Sequence, residues 1–213
     1  MENILLAGAN GTTGKKIVNL LKSSQYFNPI AMVRKQEQIE QFKSQGVDTV
    51  LADLTEDLTH AIEGVDKVVF AAGSGGKNVV EVDQEGAKRL MAVSKMANVK
   101  KFVMLSSMGA DTPEEVEGME DYMKAKQNAD QHLKASKLNY TIVRPGTLNN
   151  SEGKGKIELK EKLNKHGEIS RADVAQTLVR ALHDDAPCNI TFEILEGDTL
   201  IGEAMNEMTM SVS

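Results

Sequence analysis

Asn3-Ile-Leu-Leu-Ala-Gly-Ala-Asn-Gly-Thr-Thr-Gly14 is the stretch on which the fold turns. Ile4–Ala7 is an apolar run of strand length, and Gly8, Gly11 and Gly14 follow as G-x-x-G-x-x-G. Lys15–Ser23 then carries Ile17, Leu20 and Leu21 at helical spacing. Strand, glycine turn and helix in that order form the setting of a dinucleotide-binding loop. The glycines permit a tight turn, close approach of backbone to a diphosphate, and packing of helix on strand. The helix start offers free N–H groups and a partial positive charge to the phosphates. A plain strand–turn–helix corner is the bland alternative. A nucleoside-triphosphate loop fits worse, because it needs four residues between its glycines and Ser or Thr after its Lys. Here five residues separate Gly8 from Gly14, and Lys15 is followed by Lys16.

Outward from that loop, strand-like and helix-like runs alternate. Pro29–Val33 reads as a strand, Gln36–Ser44 as a polar helix, Val47–Leu51 as a short strand, and Leu58–Ile62 as the start of a helix. Val65–Ala72 is a strand running into Gly73-Ser74-Gly75-Gly76, and Val79–Asn98 is a long helical stretch with Asp83 as a helix–loop polar contact. Lys100–Leu105 is a strand ending in Ser106-Ser107, followed by an acidic loop, Asp111–Asp121, and a helix, Tyr122–Ser136. Tyr140–Arg144 is a strand stopped by Pro145-Gly146. Lys156–Leu159 reads as one arm of a short hairpin, Ser170 as the N-cap of another helix, and Ile190–Leu195 as a last strand. The tail Glu203–Ser213 either frays or docks. The alternation implies an α/β fold: a three-layer, doubly wound parallel (Rossmann) sheet of about seven strands in one domain, residues 1–213. Ligand is expected at the C-terminal edge of the strands, across the switch point.

Composition narrows the function. The chain has 213 residues, enough for one sizeable core, and 40% hydrophobic against 4% aromatic residues points to an aliphatic interior. A net charge of −6 argues against nucleic acid as the main partner. Cys188 is the single cysteine, read as a small core residue; there is no disulfide and no cysteine-rich metal site, and no metal is expected. No basic leader and no run of 18 apolar residues is present, so no membrane partner is expected and a cytoplasmic location is the default. Oligomeric expectation is a monomer or a weak homodimer. The lysines between Lys154 and Lys165 are interleaved with Glu158 and Glu161, which favours a solvated hairpin over an anion-binding patch.

Two features bear on chemistry. Arg34 lies 20 residues after Gly14 at a strand end, where dinucleotide folds read the adenosine ribose. An acidic residue there binds the 2′-OH, whereas Arg receives a 2′-phosphate, so NADP(H) is preferred and NAD(H) is the lesser candidate; a solvated helix start is the alternative. Tyr122 and Lys126 are four apart and share a helix face, 15 residues after the strand end at Ser107. A carbonyl reductase needs a proton donor as hydride arrives. A phenol is a weak acid, with an ordinary pKa of about 10, and an ammonium beside it favours the phenolate. A serine hydroxyl at a neighbouring strand end can hold the carbonyl oxygen, and the phenol then serves as general acid or, in reverse, base. A surface helix pair is the alternative reading of Tyr-x-x-x-Lys.

With these pieces the chain resembles the short-chain dehydrogenase/reductase superfamily, and more narrowly its small bacterial atypical members, the NAD(P)H-binding or NmrA-like proteins. The resemblance rests on the loop Gly8–Gly14, Phe102-Val-Met-Leu-Ser-Ser-Met-Gly-Ala110, Tyr140-Thr-Ile-Val-Arg-Pro-Gly-Thr-Leu148 and Ile169-Ser-Arg-Ala-Asp-Val-Ala175, and spans nearly the whole chain. It implies that Gly8, Asn10, Gly11, Thr12, Thr13 and Gly14 line the diphosphate and that Arg34 meets the 2′-phosphate. Asp53 and Leu54 would edge the adenine, and Ala71, Ala72 and Gly73 the nicotinamide-side ribose, with Lys126 and Tyr122 also touching the cofactor. Pro145 to Leu148 would lie beside the nicotinamide, and Ser107, rather than Ser106, would be the catalytic serine with Tyr122 and Lys126. The chain is too short after Gly146 for the large C-terminal lobe of extended members, leaving Thr147–Glu168 as a small lid. The resemblance implies an NADP-dependent oxidoreductase delivering hydride to a small carbonyl, quinone or similar acceptor. A non-catalytic NADP(H) sensor and an NAD-dependent epimerase or dehydratase remain as alternatives.

Overall fold

The computed structural model describes residues 1–212. Its elements, in chain order, begin with β1 (Glu2–Ala7), α1 (Thr12–Lys22), β2 (Phe27–Val33), α2 (Gln36–Lys43), β3 (Asp48–Leu51), β4 (Lys67–Phe70), α3 (Ala87–Met96) and β5 (Lys101–Leu105). There follow α4 (Glu120–Ala135), β6 (Tyr140–Pro145), β7 (Thr147–Asn149), β8 (Lys156–Lys160), β9 (Glu168–Ser170), α5 (Arg171–Arg180), β10 (Ile190–Glu196), β11 (Thr199–Leu200) and α6 (Ile201–Val212). Nine strands form one sheet in the order β3-β2-β1-β4-β5-β6-β10-β8-β11. Seven of them, β3 through β10 in that order, pair in parallel, matching the expected doubly wound sheet. The chain winds outward from β1 to β3, returns to β4 on the other side of β1, and winds outward again, so the switch point lies between β1 and β4.

Alternation along the strands builds the two outer layers. Ile4 and Leu6 pack with Ile17, Val18 and Leu21 of α1, Val174 and Leu178 of α5, and Met205 of α6. Leu5 and Ala7, pointing the other way, pack with Leu90 and Met91 of α3 and Leu133 of α4. A period of two thus feeds both faces, as a sheet covered on both sides requires.

Several elements depart from expectation. The Lys156–Leu159 arm does not close a local hairpin: β8 adds antiparallel to β10, and β11 pairs antiparallel with β8. Burying Ile157 in the core and covering the open edge of β10 outweighs a local turn. Leu58–Ile62 yields only a 3-10 turn, Thr59–Ile62. Val79–Asn98 is not one helix; a π-helical segment, Val79–Gly86, precedes α3. A methyl at Gly86 would stand 2.7 Å from the Leu54 Cβ, so this segment approaches the β3–β4 connection as closely as glycine allows. Cys188 is exposed rather than in the core. The tail docks: Ile201, Ala204, Met205 and Met208 are buried against α5 and β8, while Ser213 lies outside the described residues. No helix among the described residues is long and apolar enough to cross a membrane.

The glycine loop joins β1 to α1 under tight constraint. Gly8 has φ +92°, and a Cβ there would stand 2.6 Å from the Ala71 carbonyl and the Ala72 nitrogen beyond β4. Gly14, in the first turn of α1, lies so close to the loop that a Cβ would stand 2.0 Å from the Gly8 carbonyl oxygen. Gly11 is the N-cap at φ −71°, with its N–H on the Gly8 oxygen at 3.0 Å.

Two predictions follow from this packing. Gly14→Ala is expected to cost on the order of 3 kcal/mol in urea unfolding, because the backbone it meets cannot move aside, whereas Gly11→Ala, whose Cβ would meet the Gly8 oxygen at 3.3 Å, stays within about 1 kcal/mol of wild type. Met205→Ala, at a fully buried site in α6, is expected to cost about 2–4 kcal/mol. Met210→Ala, at a site 72% exposed, changes the midpoint little, and equal effects at the two positions would contradict a docked tail.

Candidate active site

The C-terminal edge of the parallel strands gathers most of the residues singled out in the sequence into one run of contacts. At its start, Gly11 caps α1 with no side-chain hydrogen bond, and the first turn of the helix carries no acidic residue. Its leading N–H groups and positive end therefore face the loop uncompensated, which suits an anion. Thr13 and Gly14 are buried in this turn, while Asn10 and Thr12 stand exposed at its rim. Because Gly8 packs on Ala71 and Ala72, the diphosphate loop and the strand end expected to border the nicotinamide ribose are a single surface.

That surface continues to Gly73, where a built Cβ would stand 3.3 Å from Asp83 Oδ1. Asp83 is 1% exposed and sits in the π-helical segment. Its Oδ2 accepts the Ser74 N–H at 2.9 Å. Its Oδ1 has no hydrogen-bond partner and lies 3.5 Å from Lys126 Nζ. Lys126 is itself buried; its ammonium also lies 3.5 Å from the Leu105 carbonyl at the end of β5, and 5.5 Å from the Tyr122 ring centroid. The lysine is thus held between a buried carboxylate, a strand-end carbonyl and a phenol ring. The sequence reading treated Asp83 as a polar contact between helix and loop; the structure adds its ion pair with Lys126. No sequence signal singles out Asp83 for that role, since Glu81 and Glu85 flank it in the same stretch.

The two serines after β5 separate in role. Ser106 is buried and donates to Asp130 Oδ2 at 3.0 Å. Ser107 is partly buried and donates only to the neighbouring Met108 carbonyl, at 3.2 Å, leaving its oxygen free to accept and its proton easily redirected. Asp130 also receives Arg144 through Nε at 2.9 Å and Nη2 at 2.8 Å. Burial pushes the Asp130 carboxyl above its usual range, a rise that Arg144 and Ser106 only partly offset. Pro145 joins the serine loop by accepting the Met108 N–H at 3.0 Å.

Arg34 and Asp53 lie on the other side of the switch point, at the ends of β2 and β3. Arg34 is exposed, and its backbone N–H is fixed by Gln38 Oε1 at 3.0 Å. Asp53 accepts Thr55 N–H at 2.9 Å, which together with the Thr55 hydroxyl and nearby Arg34 holds its carboxyl below the usual range despite partial burial. Leu54 is buried under Gly86, and its carbonyl accepts Arg89 Nη1 at 3.1 Å.

These features fit a nicotinamide dinucleotide. Gly8 and Gly14 leave no room for a side chain, the α1 start carries no side-chain cap, and the buried Ser74 Oγ and Asp83 Oδ1 lack hydrogen-bond partners beside Gly73. Such a group supplies the hydride chemistry. What the chain adds is a helix start without side-chain cap at one end and, at the other, an ammonium, a phenol and a serine hydroxyl. No cluster of three or more His, Cys, Asp or Glu residues able to hold a metal occurs among the described residues. Three of the five lysines from Lys154 to Lys165 are engaged in ion pairs, Lys154 with Glu196, Lys162 with Asp111 and Lys165 with Glu158.

Comparison with known proteins agrees with this geometry. Residues 8–185 match the NAD(P)H-binding protein family. The chain is 38% identical to an uncharacterized sugar epimerase of Bacillus subtilis, YhfK, covering 96% of this chain and 99% of that one. Among solved structures, a Bacillus halodurans protein assigned as an NAD-dependent epimerase/dehydratase superposes with a TM-score of 0.90 at 36% identity, covering 97% of this chain and 100% of the other. The oxidoreductase ylbE from Lactococcus lactis gives 0.87 at 30% identity, covering 98% and 97%. The chain belongs to the NAD(P)H-binding family of atypical short-chain dehydrogenases/reductases.

Proposed function

We propose that the protein is an NADP-dependent oxidoreductase that transfers hydride to a small carbonyl, quinone or similar acceptor. The observation that carries this reading is the placement of Lys126 beside the Tyr122 ring, held by buried Asp83 and by the carbonyl of Leu105, two residues before Ser107. In this reading the diphosphate lies on Gly8–Gly14 and the nicotinamide ribose against Ala71–Gly73 and Lys126. Ser107 holds the acceptor oxygen and Tyr122 delivers the proton. Lys126 keeps positive charge beside the phenol and donates to the ribose, and Pro145 flanks the ring. Arg34 supplies the preference for a 2′-phosphate over a free 2′-OH. The similarity to an oxidoreductase at 30% identity over nearly the whole chain supports the reaction class.

A second reading, an NAD-dependent epimerase, is favoured by the names of two similar proteins. It requires tightly held NAD that is reduced and reoxidised within one turnover. Against it stands the exposed Arg34, which suits a 2′-phosphate better than the free 2′-OH of NAD. Protein purified without added nucleotide and carrying stoichiometric NAD would favour the epimerase; protein free of nucleotide favours the reductase.

Two substitutions test the assignment. Tyr122→Phe is expected to lower kcat by about 100-fold or more in a carbonyl and quinone screen, with NADPH affinity within about twofold of wild type. Undiminished turnover would remove Tyr122 from proton delivery. Arg34→Ala is expected to weaken NADPH binding by about tenfold, the scale of one charge-assisted hydrogen bond, and to leave NADH binding unchanged. Equal effects on the two nucleotides would contradict the 2′-phosphate role.

A further inference from the structure

Between β8 and β9 the chain crosses the ends of β6 and β10 as a strap, residues 161–167. Buried and exposed ties hold it differently. The Leu163 N–H donates to Glu193 Oε2 at 2.7 Å, and both residues are buried. At the far end, the Gly167 carbonyl accepts the Thr147 N–H at 3.0 Å. These two ties join the strap to its own side of the molecule, β10 and β7. One further tie crosses to the serine side: Lys162 Nζ meets Asp111 Oδ2 at 2.7 Å, with the two side chains 50% and 33% exposed.

Asp111 is well placed to receive it. Its backbone carbonyl accepts Gln127 Nε2 at 3.1 Å, from the residue after Lys126 on α4. Its Oδ1 lies 3.5 Å from Arg144 Nη1, and Arg144 is locked by buried Asp130, which also holds Ser106. Charges therefore alternate from the serine strand end outward: Asp130, Arg144, Asp111, Lys162. The Asp130–Arg144 link is buried, the Arg144–Asp111 link is partly exposed at Asp111, and the last is the most open. The desolvated inner pair is costly to break, whereas an ion pair as open as the last favours closure by no more than about fivefold and is screened by salt. The chain of ties is thus built to part at one place.

We propose that Asp111 and Lys162 form a latch that fastens the 161–167 strap across the substrate end of the cleft, and that release of this pair admits acceptor and frees product. The substrate assignment of this end rests on the reductase reading above; the latch itself does not. Release of the pair leaves the strap held by the Leu163 and Thr147 hydrogen bonds, and opening loosens these two tethers. The latch also favours small acceptors over bulky ones, because a wide acceptor needs the strap displaced.

Amide exchange of the full chain tests the latch directly. The Leu163 and Thr147 N–H groups, which tether the strap, are expected to exchange about threefold to fivefold faster in Lys162→Ala, and faster still in Lys162→Glu, where Asp111 repels the strap. Lys162→Arg is expected to keep the wild-type rates, and 0.5 M salt to bring wild type toward Lys162→Ala. Lys162 lies on the surface, so these variants keep the wild-type unfolding midpoint. Equal exchange across all four proteins, or no response to salt, overturns the latch. In turnover, Lys162→Ala is expected to lower KM for 9,10-phenanthrenequinone relative to 2,3-butanedione with NADPH affinity unchanged. Absence of turnover by wild type with either acceptor overturns the reductase reading and leaves the exchange result standing.

Discussion

The close approach of Gly8 and Gly14 is the constraint from which the rest of the site follows. Carbonyl, turn and helix start occupy a space in which a single methyl group would stand 2.0 Å from an oxygen. This approach presses α1 onto β1 and brings the loop onto the end of β4. The outcome is both structural and chemical. The helix is held at the switch point of the sheet, and its uncapped N–H groups face the crevice where the strand order reverses. A loop with ordinary side chains would hold the helix away, widen the crevice and lose the positive end on which an anion depends.

Across the crevice the same economy of space is met with buried charge. Asp83 and Lys126 are both removed from water, and each needs the other, since an isolated buried charge is costly. The π-helical turn that carries Asp83 is a local irregularity of the kind often found at functional positions, and it faces α4 over a broad contact, with Asn128 donating to Gln84 Oε1 at 2.6 Å. On the opposite edge of the sheet, buried Lys67 is satisfied by Glu2, Asp184 and the Leu182 carbonyl, all within 2.8 Å. That cluster closes the inert end of the strands. Lys67 and Lys126 differ in what surrounds them: Lys67 is saturated, whereas the carboxylate facing Lys126 keeps an oxygen without a hydrogen-bond partner, on the side where the cofactor is proposed to lie.

The parallel sheet was legible because its evidence is local and periodic. The Gly8–Gly14 loop, the apolar strands and their helices each announce themselves within about ten residues. Tyr122 and Lys126 were legible for the same reason, sharing one helix face. Pairings between distant segments were not. Ile157 reads equally well as an arm of a local hairpin or as a new sheet edge, and only the open side of β10 decides between them. Asp83 stands between Glu81 and Glu85 with nothing in the sequence to set it apart; its partner lies 43 residues away, and the π-helical turn that aims it has no sequence period. Cys188 misled for another reason. Its residue type favours burial, yet the turn before β10 leaves it at the surface.

The account stands or falls on whether one nicotinamide nucleotide spans the run from Gly8 to Ser107. The most direct measurement is a crystal structure of the protein grown with saturating NADPH. The account predicts one nucleotide per chain, with its diphosphate on the Gly8–Gly14 loop, its 2′-phosphate at Arg34, and its nicotinamide beside Lys126, Tyr122 and Ser107. A nucleotide bound elsewhere, or a cleft without nucleotide at saturating concentration, would contradict it.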